Sequence, residues 1–513
     1  MKFRILSLAA IAACGSAHAL SPAVIDADRA AGTLKEIVIH GGSAQAPLVG
    51  AYIASICNTD LDTFFNSGGS GTGKDYRAYS CTLKATSGFP KGTPILVVKR
   101  DLGGSIYGVN PVALQVTENT MIVDNTAGNC VSTGVAANAF TASYNCAKTD
   151  LRQAVAGISD VEPSIFNKVM TVGTTANVAF NLPAGNDDNG TPWTVLTAQQ
   201  LAALDSSSAN QTIFGVAVSV PLRNAMQAAQ GLTVGSDAAD QTPSMSRAFY
   251  TALAAGFVKA NSTATKFAGW DALTGVAADN ALQVNLCRRA NGSGTQASSN
   301  LLFLEAGTIT TTSNGGFAPI NANGVAVART GSPLAVNEGS STGAAVSCLT
   351  TASGLNAYAA GIISFENDPS PVGGGALAAW RFVGLDGQTP DQQLARKGLY
   401  PYVYSATMQW KKTGVGIPDT ATKGFLTAMR KNLGSPTGIN ALAGFNVFAQ
   451  RGVLAAPSSY TGTCAAQAAG SVNQKFGSCV ERLDTLSQYN DGSLIYGGAV
   501  YKTNSAQPLH FVK

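Results

Sequence analysis

KEIVIHGGSAQAPLVGAYIASIC, residues 35–57, is the stretch that decides the fold. Ile37-Val38-Ile39 is a short β-branched run, the signature of a buried strand. Gly41-Gly42-Ser43-Ala44-Gln45-Ala46-Pro47 then predicts a tight turn, and Leu48–Cys57 a helix. Strand, glycine turn and helix in that order are the grammar of an α/β protein.

The same grammar recurs along the chain. Ile95–Val98 predicts a strand, followed by Gly103-Gly104-Ser105 and Gly108-Val109. Ile213–Val220, ending at Pro221, predicts a central strand. Val284-Asn285-Leu286 enters a glycine-rich loop and then a helix through Leu304. Ala359–Phe365, Trp380–Leu385 and Tyr400–Tyr404 predict further strands, and Pro418–Leu433 a helix. Met245, Phe249, Leu253 and Phe257 recur at helical spacing and are assigned to core packing, as are Trp380 and Trp410. Tyr107 is placed either at the cleft or on the surface. Residues 306–350 are rich in Thr, Gly and Asn and read as an inserted β-rich or loop segment.

At 513 residues the chain is too long for one ordinary domain. Hydrophobic residues make up 45% and suffice for buried cores. Charged residues make up 12%, about half the usual share, which points to a folded protein with a neutral polar surface. The net charge is +4, and no run of Lys or Arg forms a basic stripe, so nucleic acid is excluded as a partner. Of the three histidines, His18 falls within the expected leader, and His40 and His510 alone cannot build a multi-histidine zinc site and leave few general bases.

Residues 1–19 predict a signal peptide. Lys2 and Arg4 precede an apolar stretch at Ile5–Ala13, and Ala17-His18-Ala19 offers small residues for cleavage before Leu20. Ile11-Ala12-Ala13-Cys14-Gly15 also resembles a lipobox that would lipidate Cys14; simple secretion is the preferred reading. No later run of about 18 apolar residues predicts a membrane span. Eight cysteines remain after Cys14, an even number suited to disulfides in an exported protein. Sequential spacing suggests 57–81, 130–146, 287–348 and 464–479.

Two motif matches are set aside. Gly68–Gly73-Lys74 looks like a phosphate-cradling P-loop, but Asp75 stands where a Ser or Thr would hold Mg²⁺. Gly339-Ser340-Ser341-Thr342-Gly343 matches the nucleophile pattern G-x-S-x-G. No strong strand is evident before it, and the only downstream histidine is His510.

The chemically suggestive loops each follow an apolar run, are rich in Gly and carry small hydroxyls. Ligands of open α/β sheets bind beyond the carboxyl ends of the strands, where helix N-termini attract anions. The fullest of these loops is Arg289-Ala290-Asn291-Gly292-Ser293-Gly294-Thr295. Its guanidinium, exposed backbone and hydroxyls suit a tetrahedral oxyanion. The alternative is a glycine turn with an arginine ion pair and a Ser or Thr helix cap.

This loop resembles R-A-D-G-S-G-T of the periplasmic phosphate-binding proteins of ABC transporters, with Asn291 in place of Asp. Three further loops agree in order. Gly42-Ser43-Ala44-Gln45-Ala46-Pro47 resembles A-T-F-P-A-P, with Gln45 departing from Pro. Gly103-Gly104-Ser105 with Gly108-Val109 resembles G-S-S-G-G-V, with Ile106 and Tyr107 added. Gly157-Ile158-Ser159-Asp160 resembles G-A-S-D. Later, Leu385-Asp386-Gly387 and Gly398-Leu399-Tyr400-Pro401 resemble the carboxyl half of these proteins. The resemblance implies a two-lobed type II periplasmic-binding-protein fold, α/β, with β- and loop-rich insertions and disulfides.

It implies this organisation: a signal peptide at 1–19; a first lobe from 20–160, with an insertion at about 110–150; a second lobe from 161–350, with an insertion at about 305–350; a return to the first lobe at 351–440; and a carboxyl extension with a cysteine pair at 441–513. It also implies a phosphate shell. Ser43, Ser105, Ser293 and Thr295 would donate from hydroxyls; Ala44, Gly294 and Thr295 would donate from backbone N–H. Arg289 would pair with the anion. Asp160 would accept from a protonated phosphate oxygen and so discriminate against sulfate, which has no proton to offer.

The expected function is therefore a periplasmic or secreted, non-catalytic solute-binding protein. It would take phosphate or a related oxyanion, use no cofactor or metal, and have an ABC-transporter permease as the partner the resemblance implies. The competing expectation is an exported structural or adhesive surface protein that keeps the fold without the ligand.

Overall fold

The computed structural model describes residues 20–66, 75–134, 142–172, 175–261, 269–304, 334–367, 369, 377–396 and 399–443. It also describes short strands at 453–454, 494–496 and 499–501. The signal peptide, Cys14, the P-loop-like residues 68–74 and the pair Cys464 and Cys479 lie outside these residues.

Two α/β lobes share one plan. In the first, β1 (Lys35–His40) lies between β2 (Pro94–Arg100) and β3 (Ala156–Ser159), parallel to both. The order is second–first–third, and an antiparallel strand returning from the other lobe closes it. That strand is β9 (Val403–Lys411), paired with β3. In the second lobe, β5 (Val284–Arg289) lies between β6 (Leu334–Gly339) and β7 (Ala359–Ser364), parallel to both. Here the antiparallel neighbour of the third strand is β4 (Leu204–Ser219), which enters from the first lobe. This doubled order is the two-lobed type II arrangement expected from the sequence.

β4 joins the lobes. Its amino half pairs with β9 from Leu204↔Lys411 to Ile213↔Val403. Its carboxyl half pairs with β7 and with β8 (Trp380–Leu385). A 16-residue strand fits this role because its apolar run, Ile213–Val218, is buried on both faces where the sheets meet.

Helices cover the sheets. In the first lobe, α1 (Ala46–Ile56) begins with Pro47 in its first turn, where the missing N–H costs nothing. Its Leu48, Val49 and Ile53 pack with Phe425, Leu426 and Met429 of α4 (Thr420–Gly434) over Ile37 and Val97. Asp419 caps α4 by accepting from the Ala421 and Thr422 amides, at 2.9 Å each. In the second lobe, α2 (Gly294–Leu304) places Leu301 and Phe303 in a core shared with Val284, Leu286, Phe214 and Tyr402. Trp380 and Trp410 are both buried, as expected of core residues.

Three disulfides join the expected partners: Cys57–Cys81, Cys130–Cys146 and Cys287–Cys348. The second staples a hairpin of Cys130–Gly134 and Ala142–Cys146, which extends the first sheet beside Asp62–Asn66. Among the described residues, no helix is long and apolar enough to cross a membrane.

Three expectations from the sequence need correction. Residues 334–350 are not inserted: β6 pairs along its whole length with β5, and α3 (Thr342–Gly354) follows it. β6 is the edge strand of its sheet, with only Gly339 buried, so its sequence, LAVNEG, lacks the longer apolar run that marks a buried strand. The same strand corrects the reading of 339–343, which does sit in a strand–turn–helix context. There Ser341 Oγ accepts from the Ala344 amide at 3.2 Å and caps α3. The return to the first sheet also comes later than residue 351. β7 and β8 still belong with β4, and β9 makes the return.

Candidate functional site

The carboxyl ends of β1, β2 and β3 meet those of β5, β6 and β7. Small residues make this contact possible. The Ile106 amide donates across it to the Gly292 carbonyl at 2.9 Å. A Cβ on Gly104 would stand 2.9 Å from Ser293 Cα. A Cβ on Gly294 would collide with Ser105 Oγ and stand 2.7 Å from Asp160 Cβ. The 289–295 loop therefore lies directly on the loops after β2 and β3.

Five of the eight residues expected at the site form one cluster. Ser105 is fully buried; its Oγ donates to Asp160 Oδ2 at 3.1 Å and accepts from the Asp160 amide at 2.9 Å. Asp160 is buried and its Oδ1 has no hydrogen-bond partner. Gly294 closes over this pair. Thr295 is buried, and its Oγ1 also lacks a partner. Arg289 is buried, within electrostatic reach of Asp160. Gly294 and Thr295 open α2, where helical amides have no intrahelical acceptor.

The other three stand at the margin. Ser293 is buried at the entry to α2, and its Oγ accepts from the Gln296 amide at 3.4 Å, which is a helix-cap role. Ser43 is half-buried and Ala44 buried in the single turn before α1.

Arg289 is held by the loop after β6. Its Nε donates to the Gly339 carbonyl at 3.3 Å, Nη1 to Thr342 Oγ1 at 2.8 Å and Nη2 to the Ser340 carbonyl at 3.0 Å. A guanidinium has five N–H donors, so two remain. Burial pushes its pKa down to about 10, opposed by Asp160 and Glu366, and it stays charged at neutral pH. Burial also raises the Asp160 pKa, while Ser105, Arg289, Lys99 and Gln45 act against that rise.

Several contributors escaped the sequence reading. Gln45 is buried and bridges to β4: its Nε2 donates to Thr212 Oγ1 at 2.8 Å and its Oε1 accepts from Asn210 Nδ2 at 2.7 Å. Lys99, fully buried, donates to the Gly41 carbonyl at 2.6 Å and pairs with Asp101. Glu366 follows β7 and lies within electrostatic reach of Arg289 and Asp160. Glu366 carried no distinguishing sequence signal beyond its place as the first residue past the Ala359–Phe365 strand.

Tyr107 is half-buried. It packs edge-on to Trp193, with the Arg100 guanidinium 3.7 Å from its ring centre. His40, at the end of β1, is fully buried with Nε2 2.7 Å from Thr120 Oγ1. Burial and then Arg100, Lys99 and Arg152 hold its pKa well below the ordinary value, so it is neutral. Among the described residues no three His, Cys, Asp or Glu side chains converge as a metal site would require.

No family model matches the chain, and no curated protein matches it. Solved structures do. A phosphate-binding protein from Stenotrophomonas maltophilia is 12% identical, with 86% of this chain and 97% of that one covered, at a TM-score of 0.42. An ABC-type phosphate transport receptor from Vibrio cholerae is 12% identical, with 80% and 98% covered, at 0.35. PstS from Borrelia burgdorferi is 10% identical, with 80% and 97% covered, at 0.32. At these values the fold assignment rests on the chain's own strand order.

Proposed function

We propose that the chain is a non-catalytic solute-binding protein that takes phosphate, or a related protonated tetrahedral oxyanion, between its lobes. The observation that carries this reading is a pair of buried, unpartnered atoms of opposite hydrogen-bonding sense. Thr295 Oγ1, from the second lobe, can donate; Asp160 Oδ1, from the first, can accept. Buried polar atoms are rarely left unpaired, and one ligand with both a charged oxygen and an O–H satisfies the two together. The spare N–H groups of Arg289 and the amides opening α2 supply positive potential for the anion. Ser43, Ala44 and Ser293 complete the proposed shell.

In this reading the lobes hinge on β4 and β9 and close on the anion. An exported carrier that delivers the anion to a membrane permease is the matching physiological setting. The test is calorimetric titration of the disulfide-intact protein with phosphate, and with sulfate in parallel. Phosphate should bind with micromolar or tighter affinity and sulfate should not; Arg289→Ala should abolish binding. Absence of binding by folded, ligand-free protein, or an unchanged affinity in Arg289→Ala, refutes the reading and favours a surface protein that kept only the fold.

A further inference from the structure

The loop after β7 places a second carboxyl group at the site. Ser364 Oγ donates to Glu366 Oε1 at 2.7 Å, and Asn367 Nδ2 donates to the same oxygen at 2.9 Å. Both neighbouring side-chain donors are thus spent on one oxygen. Oε2 is buried with no partner, as Asp160 Oδ1 is. The backbone holds the loop in register: the Phe365 amide donates to the Ile213 carbonyl of β4 at 2.9 Å, at the junction of the lobes.

The charged and titratable groups facing Glu366 are Arg289, from β5, and Asp160, from the loop after β3. One cation between two ionised carboxylates leaves no net attraction for an anion. With Asp160 ionised as the acceptor for the anion's own O–H, a second carboxyl group at the same site must be neutral, and a neutral carboxyl is a donor.

We propose that Glu366 is a further specificity-determining residue of this site, whose protonated Oε2 donates to the bound oxyanion, so that binding takes up a proton from solvent. This rests on the oxyanion-binding reading above. The proton comes from water and goes to Glu366 Oε2; no covalent bond is made or broken in the ligand. Burial pushes the Glu366 pKa up to about 8, with Asp160 acting in the same direction. Above that value the empty site is mostly ionised, and a bound anion draws the proton back.

The experiment is phosphate titration at pH 8.5 in two buffers of different ionisation enthalpy, which counts protons taken up per anion bound. Wild type should take up about three-quarters of a proton more than Glu366→Gln, which cannot titrate. Above about pH 8, wild-type affinity should fall more steeply than that of Glu366→Gln, the difference approaching tenfold per pH unit. Glu366→Asp serves as a second variant should the amide fold poorly: it should keep the proton uptake and bind more weakly. Equal proton uptake in wild type and Glu366→Gln, with phosphate still bound by both, overturns the assignment of Glu366 and leaves the oxyanion reading intact. Absence of phosphate binding in wild type overturns both.

Discussion

Gly294→Ala tests whether the contact between the lobes is part of ligand binding. The new methyl would stand 2.7 Å from Asp160 Cβ and overlap Ser105 Oγ. Carbon atoms prefer separations of about 3.5–4.0 Å, so the facing loops must part by roughly 1 Å. Gly294 is helical, without a positive φ, so the substitution leaves the backbone of α2 unstrained. The cost is steric, and overpacking of this kind costs about 1–3 kcal/mol. In the proposed reading the lobes swing on β4 and β9, so opening relieves the obstruction without unfolding either core. Affinity should then fall by about 5- to 150-fold, the same free energy expressed as a binding constant. Phosphate calorimetry reads the affinity, X-ray scattering reads the opening as a larger radius of gyration, and thermal melting should change little. A Gly294→Ala protein that binds phosphate as wild type does would refute the proposed closure over Ser105 and Asp160.

Asp160→Asn turns the free acceptor into an amide that can donate. Losing a hydrogen bond to a charged group costs about 1.5–3 kcal/mol, so phosphate should bind about 10- to 150-fold more weakly while sulfate gains, measured by paired titrations. Replacing Cys287 and Cys348 by Ala frees a loop of sequence separation 61 that ties β5 to α3. Chain entropy puts that loss at about 4 kcal/mol, read as a lower urea midpoint. Glu118, in the strand Thr117–Met121, is buried, with its pKa raised to about 8, chiefly by burial. Its folded pKa exceeds its unfolded one, so the native state holds the extra proton. Stability contributed by this group is present at low pH and declines as pH rises from about 4.5 to about 8. Glu118→Gln should flatten that decline in urea midpoints taken at pH 5 and pH 8.

The sequence alone determined the α/β class, because Ile37–Ile39, Ile95–Val98 and Ile213–Val218 are apolar runs followed by glycine turns or a proline stop. It also determined three disulfide pairs, since cysteines 16 to 61 residues apart bridge adjacent elements of one lobe. Arg289, Ser105, Asp160 and Thr295 were legible as candidates because their loops resemble, in the same order, those of the periplasmic phosphate-binding proteins. β6 was not legible: an edge strand buries too little to carry an apolar signal. Only the tertiary structure decided which loops meet. Ser105 and Asp160 are 55 residues apart, and Gln45 reaches Thr212 across 167. Such pairings depend on strand order and on the path of β4 between the sheets, which no local pattern encodes. Glu366 became visible for the same reason. A lone glutamate after a strand has no distinguishing sequence feature, and its bare oxygen beside Arg289 and Asp160 exists only once β7 lies against β4 and β5.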